Sequence, residues 1–74
     1  MENINIRFSK KLKELRNNKK LTQEALSELA GIDYKYLQKL ESNNPSSPTL
    51  QMLEKIANAL DINIIELLSD IDKE

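Results

Sequence analysis

The chain has no cysteine and no histidine among its 74 residues. The first absence removes disulfides and thiolate metal sites. The second removes the commonest general base and the commonest nitrogen ligand for metals. Glycine and proline are scarce, one and two residues, which favours helices over a turn-rich all-β fold. No uninterrupted apolar run approaches the ~20 residues that a membrane helix needs. The opening MENINIRFSKKLK lacks the apolar core and small-residue cleavage site of a secretory signal. The simplest setting is the reducing cytoplasm. The length allows one domain, 1–74, that buries only a modest fraction of its surface, so oligomerisation would add to its stability.

The net charge of −1 is not that expected of a nucleic-acid binder, but the charge is unevenly placed. Residues 1–40 hold nine Lys or Arg against five Asp or Glu, and residues 41–74 hold two against seven. The halves therefore carry +4 and −5. A dipolar molecule of this kind can present a basic face while staying near neutral overall. Solvated helix faces are the plainer reading of the same charges.

Apolar spacing predicts five helices. Ile4, Phe8, Leu12 and Leu15 fall on one face of a helix over 4–18. A second helix, 22–30, starts at a Thr22 cap, with Leu21 and Leu26 as a hydrophobic staple, and stops at Gly31, the sole glycine. A third, 34–42, starts after Asp33, with Ile32 stapled to Leu37. Leu26, Leu29, Ala30, Leu37 and Leu40 would form the inner face of this helix pair. Only Ile32 and Asp33 lie between Gly31 and Tyr34, a joint that suits a sharp crossing. The stretch Asn43 to Pro48 is loop by composition. A fourth helix, 50–60, follows a Thr49 cap, with Leu50, Leu53, Ile56, Ala57 and Leu60 as its stripe. Asp61 stands where a C-terminal glycine is common. A fifth, 64–70, opens on a capping box, Asn63 with Glu66, and a staple, Ile62 with Leu67. Agreement among caps, staples and stripes points to an all-α, compact five-helix domain.

Between the apolar positions of 23–42 lie residues that could reach a nucleic acid: Gln23, Tyr34, Lys35, Tyr36 and Lys39. An α-helix fits the major groove of B-DNA and presents side chains of its first turns to base edges. Tyr34 and Lys35 sit in that first turn, and Lys39 lies one turn along from Lys35. Lysine donates to guanine O6 and N7, and the Tyr34 ring can contact a thymine methyl. Gln23 adds a side-chain donor to a helix N-terminus already suited to anions. Each residue has a plainer rival role: tyrosines packed against the second helix, solvated lysines, and a first-turn glutamine.

The chain resembles the Cro/repressor-type helix-turn-helix family, also called the XRE family. The resemblance rests on Leu21-Thr22-Gln23, Ala30-Gly31-Ile32, Tyr36-Leu37-x-x-Leu40-Glu41, Pro48-Thr49-Leu50, the run Leu53 to Leu60, and Glu66-Leu67-Leu68. It spans roughly residues 8–68 and implies a lambda-repressor-like fold with helices 2 and 3 as the DNA-reading pair. Within the family, the small size is similar to that of the controller proteins of restriction-modification systems. Stand-alone phage repressors and antitoxins look similar too. By position, the resemblance implies that Tyr34, Lys35 and Lys39 face bases. It implies phosphate contacts at Gln23, Tyr36 and Ser42, and an ion pair between Arg16 and Glu41. The loop after helix 3 often carries Lys or Arg. Here Asn43 and Asn44 stand there, able to donate to phosphate without displacing counterions as a bound cation would. Ser27 occupies a position that is often alanine.

Ile64, Leu68 and Ile71 form a second stripe on helix 5, joined by Ile65. Apolar surface of that extent usually marks an interface, and two-fold dimers are the commonest assembly. A homodimer would place two recognition helices about one DNA turn, roughly 34 Å, apart and read a near-palindrome. The leading expectation is thus a sequence-specific transcriptional regulator on double-stranded DNA, which blocks RNA polymerase or contacts it. The alternative is a protein-interaction module, such as an antitoxin-like partner, with weak or no DNA binding. No cofactor, metal, membrane or small-molecule effector is expected. An enzyme is the least supported class, since no nucleophile–base set or carboxylate site is recognisable.

Overall fold

The computed structural model describes residues 2–73 and, within them, five helices and no strand. They are α1 (Ile4–Asn18), α2 (Gln23–Ala30), α3 (Tyr34–Leu40), α4 (Leu50–Ala59) and α5 (Ile64–Leu68). Each begins at a side-chain cap that accepts a backbone N–H: Asn3, Thr22, Asp33, Thr49 and Asn63. Each such cap satisfies a donor that the helix itself leaves unpaired. Asn3 adds a fifth cap to the four that the sequence suggests, and Asn before an apolar-periodic run is a standard start signal. No helix among the described residues is long and apolar enough to cross a membrane.

Three of the four joints are built alike. After α1, α2 and α4 the chain passes through one left-handed residue: Lys20 (φ 58°), Gly31 (φ 68°) and Asp61 (φ 59°). The next residue then donates to the carbonyl five positions back. These bonds are Leu21 to Arg16 at 3.2 Å, Ile32 to Ser27 at 3.0 Å and Ile62 to Ala57 at 3.0 Å. This 6→1 bond satisfies a carbonyl that the helix end leaves open. Leu21, Ile32 and Ile62 also pack against the core. Each is therefore the apolar anchor after one helix and the staple before the next, immediately followed by the cap. A left-handed residue, a hydrophobe and a cap turn the chain sharply within three positions.

The core is Phe8, Leu12, Leu26, Leu37, Leu40, Leu53, Ile56, Ala57, Leu60 and Leu67. It joins α2 to α3 and α4, and α5 to α1 and α4. Two residues expected on the inner faces of α2 and α4 are instead exposed. Leu29 is 61% exposed and Leu50 is 77% exposed. At about 100° per residue, Leu26, Ser27 and Ala30 define the buried stripe of α2, and Leu29 falls on the far side of Leu26 from its centre. Leu50 is the first residue of α4, one turn beyond Leu53 and past the edge of the core. Ile4 is likewise exposed in the first turn of α1.

Helices α3, α4 and α5 also end one or two residues earlier than the apolar pattern suggests. In α3 the Ser42 hydroxyl donates to the Lys39 carbonyl at 2.7 Å, offering the backbone an alternative to a further turn. Beyond α5, Asp70 adopts φ 67°. The chain turns there, and Ile71 packs back against the core.

Candidate nucleic-acid interface

Helix α3 is held from below and open above. Leu37 and Leu40 are fully buried, whereas Tyr34, Lys35, Gln38 and Lys39 are exposed. The Asp33 carboxylate accepts from Lys35 N–H at 2.7 Å, which fixes the first turn, where Tyr34 and Lys35 stand. The three expected base-facing residues thus share the solvent side of one helix. Tyr36 differs: it is half-buried and packs against the core. Burial pushes its phenol above the ordinary value.

At the far end of α3 lies a buried polar cluster. The Glu41 side chain is only 1% exposed and that of Arg16 is 12% exposed. Arg16 grips the carboxylate in a fork, Nε to Oε2 at 2.8 Å and Nη2 to Oε1 at 2.9 Å. Its Nη1 donates to the Leu21 carbonyl at 2.7 Å. The hydrogen bond to Glu41 raises Arg16 above the ordinary guanidinium value. Gln23 completes the cluster, its Nε2 donating to Glu41 Oε1 at 3.1 Å. A carboxylate without partners at such burial would be strongly destabilising. Here it takes three donors, and together they tie α1, the start of α2 and the end of α3.

The loop after α3 is tied down by hydroxyls and amides. Ser9 Oγ donates to the Ser42 carbonyl at 3.3 Å, and Asn5 Nδ2 to Ser47 Oγ at 2.7 Å. Ser42 Oγ accepts from Asn44 N–H at 3.3 Å while its own proton goes to Lys39. Its hydroxyl is thus engaged within the chain, whereas the Asn43 and Asn44 side chains stand at the exposed surface. The anchoring role of Ser9 was missed. A serine on the Phe8–Leu12 side of α1 was its only signal in the sequence.

The apolar residues of the fifth helix are placed differently from the expectation. Ile64, Leu68 and Ile71 are half-buried against the chain's own core. Ile65 alone of the four is widely exposed, at 81%. Leu68 and Ile71 also line a shallow apolar groove with Ile4, Phe8 and Leu53.

The sequence profile described as helix-turn-helix matches residues 12–67 of the chain. The chain belongs to the helix-turn-helix family. It is a DNA-binding regulator of that family, with α2 and α3 as the helix pair. The regulator is 43% identical over 75 residues to the control protein C.MunI of a Mycoplasma species, with all of both chains covered. It is 33% identical over 66 residues to the HTH-type transcriptional regulator SinR of Bacillus licheniformis. That match covers 89% of this chain and 60% of SinR. Among solved structures it is similar to the restriction-modification controller protein C.AhdI from Aeromonas hydrophila, with a TM-score of 0.80 and 38% identity. The superposition covers 85% of this chain and 94% of C.AhdI.

Proposed function

We propose that the regulator binds a near-palindromic operator as a homodimer, each copy laying α3 in the major groove. The observation that carries this reading is the split of α3 into a fully buried Leu37–Leu40 side and an open side with Tyr34, Lys35 and Lys39. Those three residues read base edges. Gln23, Tyr36, Asn43 and Asn44 hold phosphates and set the register, as phosphate contacts generally do. Ser42 joins them once its hydroxyl turns away from Lys39. Each copy carries a single recognition helix, α3, so reading two half-sites takes two copies. Half-sites of such dimers lie about 34 Å apart.

The dimer forms over α5, with Ile65 as its exposed apolar contact and the partly covered Ile64, Leu68 and Ile71 beside it. The full-length match to C.MunI and the likeness to C.AhdI support a cytoplasmic controller of restriction-modification genes. On its operator it blocks RNA polymerase or contacts it. No chemistry on the DNA is part of this role.

Selection from a pool of random duplex DNA at two salt concentrations tests the reading. Enrichment of a near-palindrome with half-sites about one turn apart is the expected result. Binding that enriches nothing and vanishes as salt rises would overturn sequence-specific recognition and shift the weight to a protein partner.

A further inference from the structure

Gln23 can grip a phosphate only if its amide presents N–H outward, and nothing in a free glutamine fixes which way the amide faces. An amide has a donor end with two hydrogens and an acceptor end with none. Glu41 removes the ambiguity. Its carboxylate can only accept, it is almost wholly buried, and Gln23 approaches it at 3.1 Å. The amide oxygen cannot take that place without setting two acceptors face to face in a site shut off from water. One Nε2 hydrogen is therefore committed to Glu41, and the second is left for a ligand at the half-exposed start of α2. The Arg16 fork holds the carboxylate still by occupying both of its oxygens.

We propose that Glu41 is a positioning residue for DNA binding: through Oε1 it locks the Gln23 amide with one N–H free to meet a backbone phosphate. The inference rests on the phosphate role given to Gln23 above. It assigns to the buried ion pair a part in recognition besides its part in the fold. It also explains how a neutral side chain serves at this position. A preset amide does not have to be ordered when the DNA arrives, and ordering a side chain at an interface weakens binding.

The test uses the full chain and a duplex from the selected pool, with each phosphate near the half-site replaced in turn by a neutral methylphosphonate. Gln23→Ala should weaken binding about five- to tenfold, the size of one hydrogen bond, and lose sensitivity to one phosphate. Glu41→Leu, which removes every acceptor at this position and is checked for native helix content and thermal unfolding, should show the same loss at the same phosphate. The double variant should be no weaker than either single one. Independent, additive losses would overturn the proposal, as would a folded Glu41→Leu variant that keeps its sensitivity to that phosphate. Tighter binding by Glu41→Leu with a steeper salt dependence would also overturn it, by showing a released Arg16 on the phosphate instead.

Should Glu41→Leu fail to fold, the unmutated chain decides by NMR. One Gln23 Nε2 hydrogen should show through-hydrogen-bond coupling to the Glu41 carboxyl carbon, with and without DNA. The other should shift on DNA binding, and not when the critical phosphate is neutralised. Loss of the Glu41 coupling on DNA binding would overturn the proposal. An unchanged affinity for Gln23→Ala, with that coupling still present, would overturn the phosphate role of Gln23 itself and the proposal with it.

Discussion

Helices α3 and α5 are both short, seven and five residues, and each sits on the core by one face, yet they offer solvent opposite surfaces. The outer side of α3 carries Tyr34, Lys35, Gln38 and Lys39. That of α5 carries Ile65 beside Glu66, with Ile64 and Leu68 half-covered. A lysine flanking a buried leucine has one strong reason to face outward, since its charge is costly to bury. An isoleucine has two places to go, its own core or a partner's. Spacing along a helix distinguishes inside from outside only while the core has room for a single stripe. On α5 the chain's own core takes Leu67 fully and the neighbouring stripe in part, so the expectation of a wholly free apolar face fails there.

Paired substitutions on α5 separate these roles most widely. Leu67→Ala should cost about 2–5 kcal/mol of folding stability, read as a fall in the denaturant midpoint, because Leu67 is fully buried. Ile65→Asp should leave the folding of the single chain nearly unchanged. It should shift the chain towards monomer in sedimentation and weaken operator binding with it. If both substitutions unfold the chain alike, α5 is core on every side and the dimer face lies elsewhere.

On α3 the expected effect is on binding alone. Lys35→Ala with Lys39→Ala should cost about a hundredfold in affinity for the selected duplex, with unfolding and dimer mass unchanged. A loss of dimer in that variant would erase the division of labour between the two helices.

The smallest effect concerns the joint that sets α3 at its angle. An alanine Cβ at Gly31 would meet nothing within 4 Å, but the residue sits at φ 68°. Gly31→Ala should therefore cost about 1 kcal/mol through the backbone alone, measured by thermal unfolding. A loss several times larger would mean that the α2–α3 crossing had shifted.

Much of the architecture was legible because its signals are local. Thr22, Asp33, Thr49 and Asn63 cap helices as read, and Leu21, Ile32 and Ile62 anchor them, since a cap or a staple needs only residues within one turn. Arg16 and Glu41 lie 25 positions apart, and only the likeness to a family paired them. The engagement of Gln23 with Glu41, and of Ser42 with Lys39, left no mark in the sequence: glutamines and serines at such positions can as readily face water. Leu29 and Leu50 misled because an apolar residue near a stripe reads as part of it, while the edge of the core is set by what packs opposite.

By itself the sequence determined five helices, their starts, the sharp α2–α3 joint and the polar outer side of α3. Each follows from hydrogen bonding and solvation within a few neighbouring residues. Only the tertiary structure decided which of the surplus hydrophobes were used up by the core, and that Ile71 turns back to join them. It alone also set Glu41, buried between Arg16 and Gln23. Those outcomes depend on the volume and partners that distant helices provide, and the order of residues along one helix carries no measure of either.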